Sequence, residues 1–222
     1  MMMNLFSVFD PTSYFGLSLN WIILLIVLII IPSKYYTVSG GYSSIMGMLK
    51  MQVTKMFMEV SFPNYMVMCY VCVVTFLYLI FSNLLGLLPF VFTETTHPMF
   101  TLGLGLVFWM SFFLMGWIKN FKHSAAHLVP EGSPLMLSPL MVIIESVSHL
   151  IRPFTLSIRL AANMMAGHLI IGLLASISLI NVYSFFVSML LQSVLMVLEF
   201  GVAIIQGFVF SILLLLYALE YY

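Results

Sequence analysis

The sequence predicts an all-α integral membrane protein, and three observations carry that prediction. Of the 222 residues, 63% are hydrophobic and only 6% are charged, whereas a soluble domain carries roughly 25% charged residues. Mean hydropathy is +1.18. The apolar residues also form long runs, of the length that crosses a bilayer as a helix. Such a chain cannot cover a water-facing surface, so a soluble fold, a disordered chain and a secreted disulfide scaffold are excluded.

About five apolar runs are long enough to be transmembrane helices of a single membrane domain, residues 1–222. Three of them precede residue 120. The roughly eighty residues after the next loop exceed any single crossing at 1.5 Å per residue, so they are expected to turn back within the polar stretch 176–184. The last two spans then form a long, tilted hairpin. The predicted spans are 14–31, 64–88, 99–118, 139–175 and 184–219.

One further helix is predicted to lie on the membrane surface. The segment 46–60 places Lys50, Lys55 and Glu59 among methionines, a mixture typical of an amphipathic interfacial helix. All lysines of the chain follow the first or the third span, and the other connections contain none. Because lysine-rich connections stay on the inner side of a membrane, five spans place the N-terminus on the opposite side.

Aspartate, glutamate, lysine, arginine and histidine are absent from the first three spans, whereas the last two spans contain glutamates, arginines and histidines. A charge near the bilayer centre costs ~2.5–3.5 kcal/mol on insertion scales, so such residues usually face a partner or a watery cavity. One interpretation is a set of ion pairs that holds the bundle together. The favoured interpretation is a polar path for an ion. The polar residues of the two spans are Glu145, His149, Arg152, Arg159, Asn163, His168, Gln192, Glu199 and Gln206.

Polar residues of these two spans recur every seven positions, so each set follows one helical stripe with ~20° drift per heptad. The sets are Glu145, Arg152 and Arg159, joined by Asn163, and Gln192, Glu199 and Gln206. Pro153 removes a backbone donor and leaves the phase between Arg152 and Arg159 open. His168, nine residues beyond Arg159, points about 180° away at 100° per residue. One span therefore presents an arginine to one neighbour and a histidine to another.

The ionisable side chains are of two kinds: the arginines keep their charge, whereas the histidines and glutamates can gain and lose a proton. Arginine stays protonated in proteins and cannot relay a proton, whereas free histidine and glutamate titrate near ~6.5 and ~4.3. Glu145, His168 and Glu199 are therefore the candidate relay. Arg152 is expected to pair with Glu145 or with a lipid headgroup. Arg159 is the candidate electrostatic gate, because a fixed cation favours the ionised form of any carboxylate brought close and so strips its proton.

At these residues the sequence resembles subunit a of F-type ATP synthases. The motif R-L-x-x-N-x-x-x-G-H at 159–168 carries most of the resemblance, and further similar segments are SNLLGLLPF at 82–90, HLVPEGSP at 127–134 and LEFGVAIIQGFVF at 198–210. The resemblance places the family's essential arginine on Arg159, its neighbouring amide on Asn163 and its last-helix glutamine on Gln206. His168 and Glu199 stand in the order of the mitochondrial members, which is the reverse of the bacterial one.

The resemblance implies a stator subunit of the ATP synthase membrane sector in the mitochondrial inner membrane, with its N-terminus on the intermembrane-space side and its C-terminus in the matrix. Two offset half-channels would carry protons to and from carboxylates of a rotating c-subunit ring. The implied proton-pathway residues are Glu145, Asn163, His168, Glu199 and Gln206. Other implied partners are further membrane-sector and peripheral-stalk subunits and the lipid bilayer, with no nucleic acid.

The chain is not expected to be an enzyme on its own, and no nucleotide site, cofactor or metal is expected in it. The alternative function is a proton- or ion-coupled secondary transporter, which usually shows paired repeats with broken helices in both halves. Here the polar residues are confined to one half.

Several other residues are expected to have structural roles. Glu94 and His97 lie in a short loop and need no special role. His123 and His127 have the spacing of a metal-binding pair, but no nearby carboxylate or cysteine completes a site, so a solvated loop is favoured. Four glycines are expected to permit close helix packing rather than to bind a ligand: Gly103, Gly105, Gly201 and Gly207.

Overall fold

The computed structural model describes residues 6, 9–11, 18–31, 40–61, 66–88, 91–119, 121–122, 125, 129, 137–178 and 181–220. Over this part of the chain the structure is helical, with no strand. A 3₁₀ turn, Leu19–Ile22, leads into α1 (Ile23–Ile30), and the later helices are α2 (Gly41–Val60), α3 (Met66–Gly86), α4 (Pro98–Lys119), α5 (Ser138–Ser178) and α6 (Val182–Glu220). The predicted all-α membrane fold is confirmed.

Four of these helices, α3 to α6, are long and apolar enough to cross a membrane. The 3₁₀ turn and α1 together form a shorter apolar helix, Leu19–Ile30. It is about 18 Å long at 1.5 Å per residue, less than a ~30 Å hydrocarbon core. Residues 14–17 of the predicted first span lie outside the described residues, as do His123 and His127.

Helix α2 begins at Gly41, five residues before the predicted start. The hydroxyl groups of Ser43 and Ser44 donate hydrogen bonds to the carbonyl groups of Gly40 and Gly41, each at 2.8 Å, so the first turn holds serines that sequence propensity assigns to a loop. The Tyr42 hydroxyl donates to a carbonyl at the end of α1 at 2.8 Å. This bond joins the end of α1 to the start of α2.

Helices α5 and α6 are the longest, with 41 and 39 residues. Each is about 60 Å long, so it must tilt steeply or extend beyond the hydrocarbon core. Pro153 lies inside α5 without ending it. The Ser157 hydroxyl donates to the Pro153 carbonyl oxygen at 2.9 Å.

Helix α3 is the most buried of the crossing helices and packs along α6, while α5 packs against both α4 and α6. Glycines mark the close approaches. A Cβ atom at Gly207 would lie 3.0 Å from the Ile80 side chain, and one at Gly105 would lie 3.2 Å from Ser157. The packing predicted for these two glycines is confirmed. It is wrong for Gly103 and Gly201, which face open space.

Candidate functional site

Arg159 and Asn163 lie on an exposed face of α5. They are four residues apart and therefore stand one above the other on the same side of the helix. The neighbouring side of α5, about 100° around the helix, includes Leu160 and Met164 and is buried. Among the described residues no carboxylate lies within ion-pair distance of Arg159. The guanidinium is therefore presented outward, toward whatever lies beside the chain.

His168 and Glu199 lie at the contact between α5 and α6. The Glu199 carboxylate packs on the backbone of Gly167, because a Cβ atom at that glycine would lie 2.7 Å from the Glu199 Cδ atom. The Nε2 atom of His168 and the Oε2 atom of Glu199 are buried, and neither has a hydrogen-bond partner within the described structure. Buried polar atoms in native proteins are normally hydrogen-bonded, in many cases to water.

A second polar cluster surrounds Glu145, nearer the start of α5. Its Oε1 atom lies 3.4 Å from Nε2 of His149 and 3.5 Å from Nη2 of Arg152. The pairing predicted between Arg152 and Glu145 is confirmed. The Arg152 guanidinium also lies over the Tyr217 ring of α6, 5.6 Å from its centroid, a distance suited to a cation–π contact. The cluster therefore links the two arms of the hairpin.

The remaining predicted residues lie on α6. Gln192, Glu199 and Gln206 are all half-buried. Their similar exposure agrees with the prediction that the three residues lie on one stripe of the helix. Gln206 precedes Gly207, the glycine that contacts α3. Gln206 is therefore held close to the contact between α6 and α3.

The two clusters lie on opposite sides of Arg159 along α5. Glu145 precedes Arg159 by 14 residues, about 21 Å of helix, and His168 follows it by nine, about 13 Å. His168 also points to a different side of the helix, since Arg159 is exposed and the Nε2 atom of His168 is buried. The outward-facing Arg159 therefore lies between two side chains that can exchange protons, Glu145 toward the start of α5 and His168 toward its end.

Sequence reasoning missed the burial of the loop between α3 and α4. Glu94 is 1% exposed, and Thr95 and Thr96 are buried as completely. The Tyr78 hydroxyl donates to Oε1 of Glu94 at 3.3 Å. Burial raises the pKa of Glu94 to about 7, against a smaller lowering by the Tyr78 hydrogen bond. Glu94 does lie in the short connection between α3 and α4, as predicted, but this connection is buried.

No group of three or more histidine, cysteine, aspartate or glutamate side chains that could hold a metal ion occurs in the described ranges.

Long apolar helices and one outward arginine between two polar clusters are features of an ion-translocating membrane subunit. Residues 16–218 match the family model described as ATP synthase A chain. The chain is 42% identical over 222 residues to ATP synthase subunit a of Drosophila simulans and 44% identical over 224 residues to that of Aedes albopictus, with 99% of each chain covered. It is 40% identical over 225 residues to that of Locusta migratoria, with 100% of each covered.

The chain belongs to the ATP synthase A chain family, and the resemblance predicted to mitochondrial-type subunit a is confirmed. It is a membrane-sector subunit of ATP synthase, with the roles in ATP synthesis and proton transport that this family has.

Proposed function

We propose that this chain conducts protons between the two faces of the mitochondrial inner membrane through two offset half-channels, with Arg159 as the gate between them. Protons pass from one half-channel to a carboxylate of a rotating c-subunit ring and leave through the other. Helix α5 carries groups for both half-channels, and neither half-channel crosses the membrane alone. ATP itself binds to other subunits, since this chain is expected to have no nucleotide site.

The outward position of Arg159 carries the proposal. The side chain is exposed although it lies in the middle of a membrane-crossing helix, where an unpartnered charge is costly. Apolar side chains such as Ile158 and Ala162 are exposed beside it. A permanent cation on an otherwise apolar face needs an acidic partner. That partner would come from a neighbouring subunit and would be ionised beside Arg159 but neutral where it faces lipid. The c-ring is the partner that meets this requirement.

The half-channels are assigned from the two polar clusters. His168 and Glu199 lie toward the α5–α6 turn, the connection without lysines, which we assign to the intermembrane space together with the N-terminus. Glu145 lies toward the lysine-bearing connection before α5, which we assign to the matrix together with the C-terminus. We also assign to the proton pathway Asn163, four residues beyond Arg159 on α5, and Gln206 of α6. Further membrane-sector subunits, peripheral-stalk subunits and lipid are the remaining neighbours.

The gate is tested by Arg159→Ala in the intact complex. Without the fixed cation an arriving ring carboxylate keeps its proton, and protons can pass between half-channels without rotation. We expect proton-driven ATP synthesis to be abolished while the complex stays assembled. Lys122→Ala, which removes an exposed cation from the connection between α4 and α5, is the matched control. ATP synthesis at the control's rate in Arg159→Ala would refute the gate.

A further inference from the structure

The loop between α3 and α4 is a buried polar segment within an apolar bundle. Thr93 to Thr96 are all buried, and the loop packs against α3, α4 and α5. The Trp21 ring covers it from the 3₁₀ turn, 5.3 Å from the ring of His97. A solvent-exposed connection would not need this cover. The loop is therefore part of the interior.

Three polar atoms of this loop have no hydrogen-bond partner among the described residues. They are Oε2 of Glu94, Oγ1 of Thr95 and Nε2 of His97. Leaving such groups unsatisfied costs roughly 1–3 kcal/mol each, so buried polar atoms are normally matched by ordered water where no protein group reaches them. The sequence offers both donors and acceptors here, which suits a small group of hydrogen-bonded water molecules.

The register of α3 against α6 gives the depth of this loop. Nδ2 of Asn83 donates to the Ala203 carbonyl oxygen at 3.2 Å, and Ile80 contacts Gly207. As the residue number rises on α3 it falls on α6, so the helices are antiparallel and Gly86 lies at the level of residues 199–200. The side chain of Thr93 packs on Gly86, at 3.1 Å from the position of an added Cβ atom.

Thr93 is therefore at the depth of Glu199, and Glu94 is the next residue. One more partnerless atom, Oδ1 of Asn83, lies on α3 about one turn deeper. Together with His168 and Glu199, these groups supply hydrogen-bonding atoms at one level of the bundle, on the side of the membrane where α3 ends. Water molecules that bridge polar groups are nearly as favourable as direct hydrogen bonds, so water between these groups would complete the connection.

We infer that Glu94 is a proton-binding residue of this subunit, which takes protons up at the α3–α4 loop and passes them through water to His168 and Glu199. The inference rests on the proposed function. In each transfer an O–H bond forms at Oε2 as a hydronium ion gives up its proton, and that bond breaks when the proton moves to the next water molecule. Glu94 returns to a carboxylate and is not consumed.

The chemistry of the carboxyl group supports this role. The Tyr78 hydroxyl occupies Oε1, which leaves Oε2 to take the proton. A pKa of about 7 lets the group both gain and lose a proton near neutral pH, as a relay requires. The titratable group that bonds to it is Tyr78 from α3. His97 lies three residues further along the loop, and His168 of α5 and Glu199 of α6 lie at the same depth. The charged residue of α4 is Lys119, at the far end of that helix.

The test uses the intact complex in membrane vesicles, with ATP synthesis driven by an imposed potential while the pH on the loop side is varied. In the wild type the rate should fall through an inflection near pH 7, because the protonated fraction of an acid falls by about tenfold per pH unit above its pKa. Glu94→Gln should lower the rate and abolish the inflection. Glu94→Asp, which keeps a carboxyl group, should retain the inflection. Glu59→Gln, which removes an exposed carboxylate of α2, should match the wild type.

Tyr78→Phe provides a readout that a merely structural role would not change. The Tyr78 hydrogen bond lowers the pKa of Glu94, so its loss should move the inflection to higher pH. If a variant does not assemble, infrared difference spectroscopy of the wild type replaces it. We expect a protonated carboxyl band that disappears as the pH rises through about 7, and the lack of any such band would overturn the inference.

The inference and the proposed function fail in different ways. If Glu94→Gln keeps the wild-type rate and pH profile while Arg159→Ala abolishes ATP synthesis, the role of Glu94 is wrong and the gate stands. If Arg159→Ala still synthesises ATP, the proposed function is wrong, whatever Glu94→Gln does.

Discussion

The carboxylate of Glu199 on α6 packs directly on the backbone of Gly167 on α5. A Cβ atom at position 167 would lie 2.7 Å from the Glu199 Cδ atom, so the acid reaches this place because Gly167 has no side chain. Gly167 is also the residue before His168. Because position 167 has no side chain, the Glu199 carboxylate of α6 can reach the turn of α5 that carries His168.

Gly167→Ala is expected to impair proton transfer without preventing assembly. The added methyl group meets the end of a flexible side chain, so Glu199 can swing away at small cost, and alanine is by itself favourable in a helix. We expect ATP-driven proton pumping to fall by at least roughly tenfold, which is less than the roughly 10²-fold contributed by a fully positioned acid or base at the low end, because Glu199 is displaced and not removed. Gly103→Ala, whose Cβ atom meets open space, is the control. Equal pumping by the two variants would contradict the role of this contact.

Arg159→Lys is expected to fail almost as completely as Arg159→Ala. A lysine keeps the charge in water, but a desolvated ammonium group loses its proton far more readily than a guanidinium group. The gate then releases its own proton instead of stripping the ring carboxylate. ATP synthesis and passive proton leak are measured in vesicles that contain the assembled complex. A lysine variant that sustains wild-type synthesis would show that any cation suffices there.

His168→Ala should slow proton uptake from the side of the α5–α6 turn. The Nε2 atom is buried in the contact with α6, and alanine removes the only exchangeable group at that position. Pumping rates are compared across a range of pH on each side of the membrane separately. The control is Ser176→Ala, an exposed residue nearer the end of the same helix. If pumping in His168→Ala is unchanged at every pH, the imidazole is not on the path.

The bounds of the membrane-crossing helices can be predicted closely from the sequence where a proline or a charged residue marks the end of an apolar run. Helix α4 runs from Pro98 to Lys119, one residue beyond the predicted run at each end, since a proline begins the helix well and a charge leaves the hydrocarbon core. Helix α2 departs more, because serines at its start bond to their own backbone. Because such side-chain bonds offer the backbone an alternative to the helix, serines favour a loop in a sequence-based prediction.

Other features depend on how helices rotate and pack, which periodicity does not give. Gly103 and Gly105 are two residues apart on α4, yet only Gly105 meets Ser157, because two positions differ by about 200° around a helix. Glu94 stands in a run of polar residues that reads as a solvated loop. Its burial depends on contacts with α3, α4 and α5, and α5 begins more than forty positions later.

The stability of the folded complex is expected to depend on pH through Glu94. Burial raises the pKa of its carboxyl group from 4.5 to about 7. The unfolded chain therefore ionises first as the pH rises, so the stability contributed by the protonated acid is complete below pH 4.5 and is lost as the pH rises to about 7. Glu94→Gln should flatten this dependence, whereas Glu59→Gln should keep it. Thermal unfolding midpoints over this pH range provide the measurement, and identical slopes in all three proteins would contradict the burial of the carboxyl group.

Gly207→Ala is expected to destabilise the packing of α3 on α6. Its Cβ atom would lie 3.0 Å from the Ile80 Cγ1 atom, which is only two bonds from the backbone and so cannot move aside as easily as the tip of a long side chain. Overpacking of this kind typically costs about 1–3 kcal/mol, which should lower the thermal midpoint of the complex. Gly201→Ala, on the same helix and in open space, should leave the midpoint unchanged or raise it slightly. If the close contact is the cause, Ile80→Ala, which removes the Cγ1 atom that the added methyl group meets, should cost less stability in Gly207→Ala than in the wild type, because the two positions are then energetically coupled.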